Sequence, residues 1–177
     1  MRDRIATRLF ALLALSLLGV GASLSPTVAQ VHRSGFRLPL ALANEAALEA
    51  VQSCAANGDD VSAAVVDASG ELIVFVKGDH ATVHTQDTSF RKAYTVVTLG
   101  PIFKFDALGP FVEKLRTNPN AAAFASLPNI LLLAGGVAVK AGDETVAAIG
   151  VGGSPGGDKD EACATAGLAK IKDRLPN

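Results

Sequence analysis

The rhythm of apolar and polar positions changes several times along the chain. Over Leu40–Ala56 the residues Leu42, Ala46, Leu48, Val51 and Ala55 fall at helical spacing, and Asn57-Gly58 closes the run, which predicts a helix. Residues 61–66 are small or β-branched, and Asp67-Ala68-Ser69-Gly70 is a turn. Residues 71–77 then alternate through Leu72, Val74 and Val76, so this part predicts a hairpin. Residues 78–84 form a polar loop. Thr85 stands where a helix cap is needed, its hydroxyl suited to an orphan amide of the first turn. Asp87 in that turn is favoured by the helix dipole. Phe90, Ala93, Val96 and Val97 make the apolar face of this central helix, and Gly100-Pro101 is expected to end it.

Residues 103–129 read as irregular, interrupted by Pro110, Pro119 and Pro128, with a short helix over 110–115 that places Pro110 in its first turn. Residues 130–133 are apolar. Residues 137–140 and 145–151 read as two strands around Ala141-Gly142-Asp143, and a last helix runs from about 158 to 174. The order helix, hairpin, helix, irregular stretch, hairpin, helix predicts an α+β domain. One antiparallel sheet of about five strands would lie between helices that cover its faces.

The first 29 residues follow a different logic. Arg2, Arg4 and Arg8 precede an apolar run over residues 9–22, and residues 23–29 turn small and polar. These are the parts of a secretory signal, with cleavage expected after Ala29, or else after Ala22. The apolar run falls short of the roughly 20 residues needed to span a bilayer. We therefore expect a signal over 1–29, a flexible arm over 30–38 and a single domain over 39–177, working in the periplasm or outside the cell. No further apolar segment of spanning length follows. Cleavage removes three arginines and one aspartate, leaving 13 basic and 16 acidic residues with no basic stripe, so nucleic acid is not an expected partner. Cys54 and Cys163 are the only cysteines. In an oxidising compartment they can bridge; the alternative is a pair of buried free thiols.

Two segments carry candidate chemistry. The first is Asp79, His80, His84, Thr85, Asp87, Arg91 and Lys92. Two histidines four apart sit in a polar loop just before a helix start. Neutral imidazole is the commonest side-chain metal ligand and an axial ligand of haem iron. Arg91 and Lys92 lie within two turns and suit carboxylates such as haem propionates. The bland alternative is a set of surface histidines beside ordinary helix charges. The second segment is the glycine-rich stretch 150–157 with Asp158, Asp160 and Glu161. It lacks the ending of a P-loop, and its acids would repel phosphate. Asp158 and Glu161 resemble a capping box instead. Gly152-Gly153-Ser154-Pro155-Gly156 has the letters of a nucleophile elbow, but Pro155 cannot supply the oxyanion amide.

Several blocks together resemble the GlcG/HbpS-like haem-binding, or haem-degrading domain, family. They are Val61-Ser62-Ala63-Ala64-Val65-Val66-Asp67 with Gly70, His84-Thr85 with Arg91-Lys92-Ala93-Tyr94-Thr95, Gly135-Gly136-Val137, Ala148-Ile149-Gly150-Val151-Gly152-Gly153, and Gly156-Gly157-Asp158-Lys159-Asp160-Glu161-Ala162-Cys163. The resemblance covers about residues 38–175. It implies a profilin-like α/β/α sandwich, a homo-oligomer, and haem or related tetrapyrrole binding in haem or iron sensing, storage or scavenging. Haem breakdown and a non-haem small-molecule or assembly role on the same fold are its alternatives, and no catalytic residue carries over. His84 is the expected axial ligand and iron-binding residue, with His80 and the oxygen of Thr85 as other options. Arg91 and Lys92 are the expected propionate partners.

Overall fold

The computed structural model describes residues 35–177; the signal placed at 1–29 lies outside them. Helix α1 spans Leu40–Ala56, strand β1 Ser62–Asp67, strand β2 Leu72–Lys77 and helix α2 Thr85–Phe103. Helices α3, Leu108–Leu115, and α4, Ala121–Ala125, follow. Strands β3, Gly136–Ala141, and β4, Glu144–Gly152, then lead to helix α5, Gly157–Ile171, and a 3-10 turn at Lys172–Arg174.

The described residues hold one sheet of four strands in the order β2-β1-β4-β3, every pair antiparallel. The expected count of about five is one too many. The apolar run 130–133 does not join the sheet but lies along α2, where the Leu131 amide donates to Thr95 Oγ1 at 2.9 Å. The two sequence hairpins are both present, and they are locked together because β1 pairs with β4 along its whole length.

Side chains alternate across the strands, so each face of the sheet carries its own core. On one face Ala63, Val65, Val139, Ala147 and Ile149 pack with α1 and α5; on the other Val66, Ala138 and Ala148 pack with α2 and α3. Glycines make the second face smooth under α2. A Cβ at Gly150 would collide with the Ser89 carbonyl, and one at Gly136 would lie 2.9 Å from the Lys92 carbonyl. The helix axis can sit this low only because those side chains are missing.

Helix α1 has the expected bounds, whereas three expectations further along the chain need correction. The buried face of α1 is Ala43, Ala46, Ala47, Ala50, Val51 and Cys54, while Leu48 is 43% exposed and Ala55 faces solvent. Small residues face α5 because that contact is close: a Cβ on Gly167 would meet Ala46. Thr85 is not the cap of α2. His84 holds that position, and the Thr85 hydroxyl, fully buried, donates to the Thr82 carbonyl at 2.6 Å and meets Ser62 Oγ at 2.7 Å. Gly100-Pro101 does not end α2. Pro101 falls in the last turn, where its missing amide forfeits a single bond. Lys104, at φ 57°, closes the helix with its amide on the Gly100 carbonyl. Finally, Asp158 and Glu161 form no capping box, since Gly156 is the cap of α5 and no side chain caps it.

The end helices are tied covalently. Cys54 of α1 and Cys163 of α5 form a disulfide. In the stretch read as an arm, Leu38 is buried and Phe36 packs against the α1–α5 core.

Candidate functional site

The first turns of α2 stand beside the glycine-rich loop that enters α5. His84, Thr88 and Lys92, spaced four apart, lie on one flank of the helix, and Ser154, Gly157 and Asp160 face them. Between the two is a cleft of about 270 Å³ with Leu133 and Pro155 at its mouth.

The floor of the cleft is an ion pair. Lys92 Nζ lies 2.6 Å from Asp160 Oδ2, and the residues are 3% and 2% exposed. Buried charges of this kind need partners for every lone pair. The second oxygen of Asp160 accepts the Ser154 amide at 3.0 Å, so the pair also fixes the loop. Glu161 works alongside it, accepting the amides of Gly109 at 2.7 Å and Gly135 at 3.1 Å. Gly135, at φ 126°, leaves room for the ammonium, since a Cβ there would stand 2.7 Å from Lys92 Nζ.

His84 occupies the rim. It is exposed, and its Nδ1 lies 2.9 Å from Thr82 Oγ1. With the hydroxyl accepting from Nδ1–H, Nε2 keeps its lone pair. This is the arrangement by which an outer partner orients an imidazole ligand. Thr82 is itself held in place, because its carbonyl takes the Thr85 hydroxyl.

The structure thus brings together two of the five sequence-predicted residues, His84 and Lys92. Thr85 lies buried behind them, bonded to Ser62 and Thr82. His80 is exposed in the loop and Arg91 lies on another side of α2; neither lines the cleft. Arg91 donates to the Ile130 carbonyl at 2.8 Å and pairs with Asp87 at 3.3 Å. Lys92, read as a propionate partner, has its charge matched internally. Asp160, Glu161 and Thr82 were not singled out for these roles. The available signal was Lys92 itself, which recurs three and four residues from Ser89 and Val96 on the buried face, where a lysine needs a carboxylate.

Among the described residues no group of three or more His, Cys, Asp or Glu side chains could hold a bare metal ion. An iron at His84 would therefore bring most of its ligands with it. None of the described helices is long and apolar enough to cross a membrane.

A family model described as haem degrading protein HbpS-like matches residues 38–169. The crystal structure of HbpS is 36% identical, covering 80% of this chain and 97% of that one with a TM-score of 0.68. A double mutant of Streptomyces reticuli HbpS is 34% identical, covering 85% and 97%, with a TM-score of 0.68. A haem complex of PduOC is similar in fold at 18% identity, covering 77% and 96%, with a TM-score of 0.64. No curated protein matches the chain.

Proposed function

This chain belongs to the HbpS-like family of haem-degrading proteins, and from that membership we propose that it is an exported haem- or tetrapyrrole-binding protein whose axial ligand is His84. The observation that carries the choice of residue is the exposed His84 imidazole, whose Nδ1 lies 2.9 Å from Thr82 Oγ1; the tautomer that donates from Nδ1 leaves Nε2 to a ligand. Among the described residues His80 has no such anchor, and it lies outside the cleft; Thr85 is buried with its oxygen engaged. A haem bound there would supply an iron centre for ligand binding or redox chemistry.

The donor set fits in part. One imidazole is what an axial position needs. The cleft, at about 270 Å³, lies just below the roughly 300–1,000 Å³ of small-molecule pockets. It would seat an edge of a macrocycle, with Leu133 and Pro155 as apolar cover. Of the two cations expected to meet propionates, Lys92 is spent on Asp160. Arg91, on another side of α2, is engaged by Asp87 at 3.3 Å and by the Ile130 carbonyl at 2.8 Å, so neither cation faces the cleft free.

Export is supported by the signal-like leader and by a disulfide of the kind that persists in oxidising compartments. We read the protein as acting in haem or iron sensing, storage or scavenging, as a homo-oligomer. The family description favours a second reading, oxygen- or peroxide-dependent haem breakdown.

The test is a haem titration of the purified protein followed by absorbance, beside His84→Ala. Saturable one-to-one binding with a Soret band that His84→Ala abolishes or shifts is expected; an unchanged spectrum removes His84 from the site. Loss of the Soret band with iron release on adding reductant or peroxide, faster than for free haem, would establish breakdown.

A further inference from the structure

The opposite flank of α2 carries a larger hollow with different chemistry. Between the β1–β2 hairpin and the outer face of α2 runs a groove of about 720 Å³, well within the size range of small-molecule pockets. It contains neither His84 nor Lys92. Three aromatic rings form its walls: Phe75 from β2, and Phe90 and Tyr94 from α2, whose centroids are 5.8 Å apart. Gly70 lets the Tyr94 ring lie against the turn, since a Cβ there would stand 2.7 Å from it. Gln86, Asn129 and Ser69 add neutral polar groups.

The charged groups lining this groove are both carboxylates, Glu71 and Asp87. Glu71 makes no ion pair among the described residues. Asp87 shares one oxygen with Arg91 at 3.3 Å, an exposed contact that neutralises little of its charge. Among the described residues no lysine, arginine or histidine lines the hollow. An anion, haem propionates included, would meet repulsion here. A neutral apolar molecule would leave the acids without a role. Aromatic faces with carboxylates beside them suit a positive charge carried on an apolar body, because ring quadrupoles and acids attract it together. We propose that this groove binds an organic cation, a quaternary or protonated amine on an alkyl or aromatic frame.

The sequence supplies its own reporter. Tyr94 is the sole tyrosine and there is no tryptophan, so intrinsic fluorescence comes from this groove. Titrate the purified protein with hexyltrimethylammonium, hexanol and hexyl sulfate, which share a chain and differ in charge, and follow tyrosine emission. The cation should give a saturable change, hexanol at least tenfold weaker binding, and hexyl sulfate none. Glu71→Gln and Asp87→Asn should each weaken the cation by up to about fivefold, the scale of an exposed ion pair, with circular dichroism unchanged. Equal binding of hexanol, binding of the sulfate, or an unresponsive Tyr94 in the native protein overturns the proposal without need of any variant.

Discussion

Replacing Lys92 with methionine tests the load carried by the floor of the His84 cleft. The substitution keeps most of the volume and removes the charge. Asp160 would then be a carboxylate 2% exposed, with the Ser154 amide as its remaining partner. Breaking a buried pair from one side costs about 3–5 kcal/mol, most of it the uncompensated charge. Against a total stability of about 5–15 kcal/mol, that loss is large enough to read by urea unfolding, followed by far-ultraviolet circular dichroism with the disulfide intact. The decisive measurement is a double-mutant cycle with Asp160→Asn, because asparagine still accepts the Ser154 amide and leaves no charge behind. The double variant should recover at least about 2 kcal/mol relative to Lys92→Met alone, the scale of coupling expected for contacting charges. If Lys92→Met costs less than about 1 kcal/mol, or the two substitutions simply add, the pair is not the strut described here.

Two further outcomes follow from the packing. Gly150→Ala drives a methyl into the Ser89 carbonyl and to 2.5 Å from the Ala93 amide; overpacking of this kind costs about 1–3 kcal/mol. The thermal midpoint should fall by roughly 2–10 °C, and an unchanged midpoint would mean that α2 does not rest on a glycine strip. Replacing Cys54 and Cys163 together with alanine removes a crosslink between positions 109 apart, worth up to about 4–5 kcal/mol in the chain-entropy model. The urea midpoint should drop and should no longer respond to reductant. Equal stability with and without the bridge would refute its role as the tie between α1 and α5.

The two hairpins and three long helices were legible because their periodicity is local: alternation marks a strand, and a three-to-four repeat marks a helix. The sequence blocks of the family were legible for a related reason, since glycines and small residues sit where strands and helices approach most closely. Less legible was anything set by partners distant along the chain. Residues 130–133 have the apolarity of a strand, but their amide goes to Thr95, so the sheet stops at four strands. Thr85 has the chemistry of a cap, yet Ser62 across the fold claims its hydroxyl.

The candidate site divides along the same line. By itself the sequence determined that His84 stands at the entrance of a helix, that Lys92 lies on that helix, and that a glycine-rich loop leads into the last one. Only the tertiary structure decided that Lys92 turns inward onto Asp160, 68 positions away, while His84 stays on the rim with Thr82. A lysine's role depends on whether a carboxylate reaches it before solvent does, and that is fixed by how α2 and α5 pack across the sheet. The same packing separated the two flanks of α2, leaving imidazole on one side and aromatic rings with two carboxylates on the other. Local pattern specifies elements because short-range sterics act on neighbours; which charges meet is a long-range property of the fold.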